Sequence, residues 1–140
     1  MPPFCRIDAT TTRYAIWTAL LNYCDHAAGS IAQIVASVLG VTHTDAHKKA
    51  RQLGAAVRLT TVLRDVKSDR GRGRIYLPLE DMARFRYTQP DLAAGVVNES
   101  FRELMAFEIA RAGGLFADSA DGICWLADEG SKLAVSALVA

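Results

Sequence analysis

Two aspartates one helical turn apart, Asp65 and Asp69, are the residues whose type and spacing most directly suggest chemistry. At positions i and i+4 of a helix, their Cβ atoms lie about 5–6 Å apart on one face. The two carboxylates repel each other, and the negative end of the helix dipole disfavours both. A divalent cation relieves both effects, and Mg²⁺ is commonly held by one or two carboxylates together with substrate phosphates.

Five basic side chains accompany this acidic pair within a short stretch of the chain. Guanidinium groups bind phosphate oxygens bidentately, so acidic residues inside a basic cluster are suited to a metal–diphosphate site. A solvated network of salt bridges among the same side chains is the alternative interpretation. The five are Arg64, Lys67, Arg70, Arg72 and Arg74.

Helical periodicity predicts the elements that must carry these side chains. Apolar residues recur at helical spacing over residues 14–39, and a second helix is expected over residues 45–67, ended by the glycines that follow. A turn is predicted at residues 89–91 and a long helix over residues 99–118, and a last helix is predicted to begin near Ser131. No stretch alternates with period two for long enough to indicate a strand, so the predicted fold class is all-α.

The predicted first helix carries Tyr23 and a run of small residues, including Ala28, Gly29 and Ala32. Small side chains along a helix leave room either for a closely packed partner helix or for a long apolar ligand between helices. Composition and spacing leave both interpretations open.

Length and composition predict a single domain over residues 1–140. The formal charge of +1, from 16 basic and 15 acidic residues, argues against a nucleic-acid-binding protein. Three widely spaced cysteines indicate reduced thiols, and neither a secretory signal nor an apolar run of about 20 residues is found, which predicts a cytoplasmic protein. The apolar final residues, 133–140, suggest that the chain is part of something longer.

Residues 64–78, which read RDVKSDRGRGRIYLP, resemble the second aspartate-rich motif of the squalene/phytoene synthase family. That motif is approximately L-R-D-x-x-x-D, followed by R-G-R and Y-L-P. Residues 23–31 look like the family's Y-C-x-x-V-A-G-x-V-G segment, and residues 6–8 and 13–15 resemble the sequence before it. The similarity spans nearly the whole chain but corresponds only to about the C-terminal half of the family's domain.

The resemblance implies part of an isoprenoid-synthase helical bundle around a central cavity. It also implies a Mg²⁺-dependent prenyltransferase that condenses two prenyl diphosphates, farnesyl or geranylgeranyl, head to head in carotenoid, squalene or hopanoid biosynthesis. Peripheral contact with a membrane is a further expectation.

Carried over residue by residue, the resemblance makes Asp65 and Asp69 the metal ligands and places Tyr23 beside the reacting carbons. The side chains expected to bind diphosphate are Arg64, Arg72 and Arg74, together with Arg58, which occupies a position where the family has Gln. The positions expected at the cavity wall are Ala28, Gly29 and Thr61.

Several departures from the family pattern bear on activity. The 22 residues before Tyr23 contain no aspartate other than Asp8, so the family's first aspartate-rich motif is absent from them. Thr61 occupies the position of a family Asn, and Ser68 that of a family Glu. The isolated chain is therefore expected to have little synthase activity. Two alternatives remain: a non-catalytic binding or assembly protein, and one half of a split enzyme in which a partner chain supplies the missing aspartates. A homo-oligomer is a separate expectation.

Overall fold

A computed structural model describes the backbone of residues 10–139 and the side chains of residues 10–137. In this range the fold is all-α, as predicted, with two isolated β-bridges and no strand. A π-helical segment, Asp25–Gly29, follows α1, and a 3₁₀ segment, Asp121–Trp125, follows α7. The α-helices are α1 (Trp17–Cys24), α2 (Ser30–Leu39), α3 (Ala46–Arg64), α4 (Val66–Gly71), α5 (Leu79–Arg84), α6 (Gln89–Ala94), α7 (Glu99–Ala120) and α8 (Glu129–Val139).

The chain forms two compact units. The first contains the described residues up to Tyr23 together with Thr60–Arg111, and the second contains Cys24–Leu59 and the described residues from Ala112 onward. None of the helices in the described range is both long enough and apolar enough to cross a bilayer.

An extended segment before α5 pairs with the backbone of residues 12–13 within the first unit. The backbone N–H of Ile75 donates to the carbonyl of Thr12 at 2.9 Å, within a parallel bridge between Arg13 and Ile75. Pro78 has an extended ψ of 129° and ends this segment at the start of α5. Its ring disfavours a helical conformation of the preceding residue, so the backbone before Pro78 is extended. Leu77 is buried, so the segment is part of the core of the first unit.

The second predicted helix is interrupted at Asp65, where the sequence pattern predicted continuity. Asp65 has φ −94° and ψ 8°, which separates α3 from α4. Two hydrogen bonds still follow the helical pattern across the break: Asp65 N–H donates to Thr61 O at 3.0 Å, and Asp69 N–H donates to Asp65 O at 2.9 Å. The two aspartates therefore keep their expected one-turn relationship.

The end of α4 explains why glycine occurs among the arginines. Gly73 has a φ of +72°, a conformation that glycine adopts without strain. Its N–H donates to Arg70 O, and Arg74 N–H donates to Asp69 O, both at 2.9 Å. This pair of bonds is a Schellman motif, and it fixes the backbone of Arg74 against that of Asp69.

The turn predicted at residues 89–91 is wrong, because these residues begin α6. Thr88 is the N-cap: its hydroxyl accepts a hydrogen bond from Asp91 N–H at 3.2 Å, while the Asp91 carboxylate accepts one from Thr88 N–H at 3.1 Å. This capping box satisfies two backbone donors that the start of a helix otherwise leaves unpaired. The Thr88 hydroxyl also donates to the Asp91 carboxylate, and this bond, together with the one from Thr88 N–H, holds the pKa of Asp91 below its usual value.

In the second unit, glycine allows helices to cross closely. A Cβ on Gly54 of α3 would lie 2.6 Å from the carbonyl oxygen of Ala28 and 2.8 Å from the Cβ of Ala32. A Cβ on Gly29 would lie 2.9 Å from the carbonyl oxygen of Arg51. All three distances are shorter than real Cβ contacts, so close packing requires glycine at these positions.

Candidate functional site

Asp65 lies at the junction of α3 and α4, where its carboxylate pairs with the neighbouring Arg64. Arg64 Nε donates to Oδ1 at 2.8 Å, and Nη2 donates to Oδ2 at 3.1 Å. The hydrogen bonds and the negative charge of Asp65 raise the pKa of Arg64. The Asp65 side chain is 37% exposed and that of Arg64 is 72% exposed, so the pair is open to solvent and to exchange of partners.

Asp69 is more enclosed and less well compensated than Asp65. Its side chain is only 15% exposed, and Oδ1 lies 3.8 Å from Arg72 Nη1, which is too far for a hydrogen bond. No donor within the described part of the chain hydrogen-bonds to this carboxylate. A shielded carboxylate with one loosely placed counter-charge is suited to binding a cation.

Arg74 links the basic cluster to a group of tyrosines. Its Nη1 donates to the hydroxyl oxygen of Tyr76 at 3.1 Å. Tyr76 in turn stacks against Tyr23, with ring centroids 5.3 Å apart, and against Tyr14, at 5.6 Å. Tyr14 and Tyr23 complete the triangle at 5.4 Å.

All three tyrosines are buried. The structure therefore brings Tyr23 and Arg74, two of the predicted site residues, into contact with the same tyrosine, Tyr76. Tyr14 and Tyr76 were quoted as part of the family-like motifs but were not predicted as site residues. The only sequence signal for a role was that both are aromatic residues within those motifs. Sequence spacing does not predict that positions 14, 23 and 76 lie in contact.

Three of the predicted residues belong to the second unit. Ala28 lines an apolar cavity of about 490 Å³ there, together with Ala32, Leu53 and other aliphatic side chains. Gly29 is buried at the crossing with Arg51. Ala28 therefore packs closely against Gly54 and also lines the cavity, whose use by an apolar ligand stays a prediction.

Arg58, the third of these residues, lies near Cys24 in the second unit and lowers the pKa of its thiol. Burial has the larger and opposite effect, so the pKa of Cys24 is raised to about 12. A thiol that stays protonated is not a nucleophile. Thr61, which belongs to the first unit, accepts the backbone hydrogen bond of Asp65 through its carbonyl.

The first unit contains a buried ionic group that sequence reasoning missed. Arg111 Nη1 lies 2.8 Å from Asp81 Oδ2 and 3.2 Å from both carboxylate oxygens of Glu108. Its guanidinium also lies over the ring of Trp17, 4.2 Å from the centroid. Glu108 is fully buried, and this desolvation raises its pKa to about 7.

The chemistry of the two aspartates fits Mg²⁺. In the described range no three His, Cys, Asp or Glu side chains converge on a common point, and Asp65 and Asp69 offer a metal two carboxylates. Mg²⁺ prefers oxygen ligands and usually keeps waters and substrate phosphates in its shell. The weakly compensated Asp69 carboxylate agrees with this requirement.

Residues 5–140 match the family model described as squalene/phytoene synthase. The chain is 39% identical over 134 residues to a phytoene synthase of Arthrospira platensis, covering 86% of this chain and 43% of that protein. It is 42% identical over 130 residues to a 15-cis-phytoene synthase of Synechocystis, covering 84% of this chain and 39% of that protein. The chain thus spans about two fifths of the length of these curated relatives.

Solved structures give the same fold. A dehydrosqualene synthase in complex with a ligand superposes with a TM-score of 0.85 and 29% identity, covering 97% of this chain and 48% of that chain. The squalene synthase HpnC from Alicyclobacillus acidocaldarius superposes with a TM-score of 0.84 and 22% identity, covering 97% of this chain and 54% of that chain. The fold is therefore that of the all-α isoprenoid synthases, and the chain belongs to the squalene/phytoene synthase family.

Proposed function

We propose that this chain supplies the second aspartate-rich half of a domain that condenses two prenyl diphosphates head to head. The observation that carries the proposal is the shielded, weakly compensated carboxylate of Asp69, one turn from Asp65 on the same helical face. The substrates are farnesyl or geranylgeranyl diphosphate. The product class is of the phytoene or squalene type, and the names of the cyanobacterial relatives favour phytoene.

In this proposal Asp65 and Asp69 hold Mg²⁺ through carboxylate oxygens. The metal, when bound, neutralises the charge of the departing diphosphate. Arg72 and Arg74 hold diphosphate oxygens, and the Schellman motif that joins Arg74 to Asp69 fixes the distance between their backbones. Arg64, once released from Asp65, would be a third diphosphate ligand. Arg58 is the fourth diphosphate ligand that the resemblance implies.

The tyrosine cluster suits the chemistry that follows loss of diphosphate. An allylic cation is attracted to the faces of aromatic rings, and Tyr23 lies in a buried group of three such rings. Burial also excludes the water that would otherwise trap the cation. The hydrogen bond from Arg74 to Tyr76 joins this aromatic group to the diphosphate ligands.

The apolar cavity lined by Ala28 is proposed to contact a prenyl chain. Its walls are aliphatic, and a volume of about 490 Å³ is within the range of small-molecule sites. A cytoplasmic location with peripheral membrane contact is part of the same proposal, since the chains that these enzymes join are lipophilic.

In this proposal, the first aspartate-rich motif of the family domain must be supplied from outside residues 5–140, which match the family model. Incubation with geranylgeranyl diphosphate, Mg²⁺ and a reductant is expected to give little hydrocarbon from this chain alone. Addition of the preceding part of the family domain, produced as a separate polypeptide from a relative, is expected to restore product formation. Robust synthesis by the chain alone, or no synthesis in any mixture despite association of the two polypeptides, would contradict this division of roles.

A non-catalytic binding or assembly function is the second candidate. The bidentate Arg64–Asp65 pair favours it, because this carboxylate has a partner without any metal. That function predicts no Mg²⁺-dependent binding of a prenyl diphosphate, so a binding measurement separates the two candidates.

A further inference from the structure

A groove in the first unit is lined mostly by residues to which the proposed reaction gives no role, with Arg64 as the exception. It has a volume of about 440 Å³ and lies between the α3–α4 junction and the helices α6 and α7. Leu63, Val66, Phe101 and Met105 supply an apolar floor. Basic side chains occur at one edge, contributed by Arg64, Lys67 and Arg70.

Neither aspartate of the proposed metal site lines the groove, although Arg64, which pairs with Asp65, does. Residues 63, 66, 67 and 70 are spaced by three, one and three positions, which places them on one helical face. The backbone hydrogen bonds that cross the break at Asp65 maintain this helical relationship.

Lys67 is the cation most available to a ligand. Its side chain is exposed, and it forms no ion pair with any residue in the described range. Arg70, by contrast, is held in place: Nη1 donates to Leu92 O at 3.0 Å, and its guanidinium occupies the space where a Cβ on Gly95 would lie. The edge of the groove thus combines one available ammonium with one positioned guanidinium.

The mouth of the groove is apolar as well. Val97 is 63% exposed and Val96 is 38% exposed, and both lie in the short connection between α6 and α7. Exposed aliphatic side chains beside unpaired positive charge complement a molecule that carries an apolar chain and an anionic head.

From this arrangement we propose that the groove binds a single-chain amphiphile ending in a phosphate. The phosphate contacts Lys67 and Arg70, and the aliphatic chain lies along Val66, Phe101 and Met105. The proposed contacts do not include Asp65 or Asp69, and the ligand requires no divalent cation.

Calorimetric titration of the full chain with octyl phosphate, below its micelle concentration and with EDTA present, tests the proposal. We expect saturable binding with one molecule per chain. Lys67→Gln should weaken it about tenfold, because a charge-assisted hydrogen bond is lost. The matched variant Lys48→Gln, at an exposed lysine of α3 that does not line the groove, should leave the affinity unchanged. Equal losses in both variants would contradict a specific site.

The apolar part of the groove has its own test. Each methylene added between hexyl and octyl phosphate should raise the affinity by up to about fourfold if the chain is buried. Val97→Asn should weaken binding, whereas Val38→Asn, at an exposed valine of α2 outside the groove, should not. Affinity that is independent of chain length would overturn the proposal.

Two further measurements distinguish the groove from a membrane-binding surface and from the metal site. Binding only to vesicles of anionic phospholipid, with none to octyl phosphate, would show that the surface recognises a bilayer and would contradict a site for a single amphiphile. The double variant Asp65→Asn/Asp69→Asn should still bind octyl phosphate in EDTA. If that variant loses this binding, the groove is not independent of the metal site and the proposal fails, whatever the outcome for prenyl diphosphate.

Discussion

Arg64 donates two hydrogen bonds to the carboxylate of Asp65, at 2.8 and 3.1 Å, while the carboxylate of Asp69 one turn later receives none from any described residue. The two aspartates therefore differ in the cost of binding a metal. Asp69 can contribute its carboxylate directly, whereas Asp65 must first exchange a guanidinium for the cation. Because the Arg64 side chain is largely exposed, this exchange costs little desolvation.

Arg64→Gln is expected to strengthen the binding of Mg²⁺ alone. The variant removes the competing guanidinium, and the expected gain is up to about fivefold, the range of an exposed ion pair. A Mg²⁺ titration followed through the NMR signals of the Asp65 and Asp69 amides measures the effect. Arg102→Gln, which removes an exposed pair with Glu99 in the same unit, is the control. An affinity for Mg²⁺ that is unchanged by Arg64→Gln would mean that Asp65 does not bind the metal.

Tyr76→Phe is expected to weaken binding of Mg²⁺–pyrophosphate by a few-fold. The variant keeps the ring that stacks against Tyr14 and against Tyr23. It removes the hydroxyl that accepts the Arg74 hydrogen bond. Arg74 then has more conformational freedom to lose when it binds phosphate. Calorimetric titration with pyrophosphate measures the change, and the melting temperature of the variant is the control for packing. Unchanged affinity would indicate that Arg74 does not contact the diphosphate.

Glu108 should make stability fall as pH rises through the range from about 4.5 to 7. Burial raises the folded-state pKa of this carboxyl to about 7, above its ordinary value of 4.5. Between these values the folded chain binds more protons than the unfolded chain, so the stabilisation present at low pH is lost as the pH approaches 7.

Thermal unfolding at pH 5 and pH 7.5 measures the contribution of Glu108. The melting temperature of the wild-type chain, relative to that of Glu108→Gln, is expected to fall by several degrees between these two values. Glu103→Gln, at an exposed position of the same helix, should leave the wild-type pH dependence unchanged. An identical pH dependence in the wild-type chain and in Glu108→Gln would show that Glu108 is ionised throughout.

Gly54→Ala is expected to lower the free energy of unfolding by about 1–3 kcal/mol. The added Cβ would meet the backbone carbonyl of Ala28 at 2.6 Å, and a backbone group cannot rotate away. The matched variant Gly113→Ala, in α7, has no atom within 4 Å of the added Cβ. It is expected to stabilise the chain by about 0.5–1 kcal/mol, as alanine does in a helix. Chemical denaturation of both variants measures the difference, and equal effects would contradict the close helix crossing.

The helical elements were largely predictable because apolar periodicity and capping residues are local signals. Asn98 illustrates this, since its Oδ1 accepts a hydrogen bond from Phe101 N–H at the start of α7. The start of α6 was missed because glutamine, proline and aspartate read as a turn unless the capping role of Thr88 is recognised. In α7, Glu108 is fully buried while Ile109 is 58% exposed, an arrangement that apolar periodicity does not predict.

The site was predictable from the sequence only where its residues lie close together within one motif. Asp65, Asp69 and Arg74 lie within ten positions, so one helix and its C-terminal motif determine their relationship. The contacts of Tyr76 with Tyr14, and of Arg111 with Asp81, join residues 62 and 30 positions apart. Tertiary packing creates such contacts, and periodicity carries no information about them. The pairing of Arg64 with Asp65 agrees with the salt-bridge alternative given for these residues, and the sequence left both interpretations open because a basic neighbour can bind either the carboxylate or the phosphate.

Calorimetric titration of the chain with a non-hydrolysable farnesyl or geranylgeranyl diphosphate analogue, with and without Mg²⁺, tests the central claim most directly. We predict saturable binding that requires Mg²⁺. Asp65→Ala or Asp69→Ala should abolish this binding, whereas Asp118→Asn, at an exposed aspartate of α7, should leave it unchanged. Binding that is independent of Mg²⁺, or that survives loss of both aspartates, would contradict a metal–diphosphate site at the α3–α4 junction.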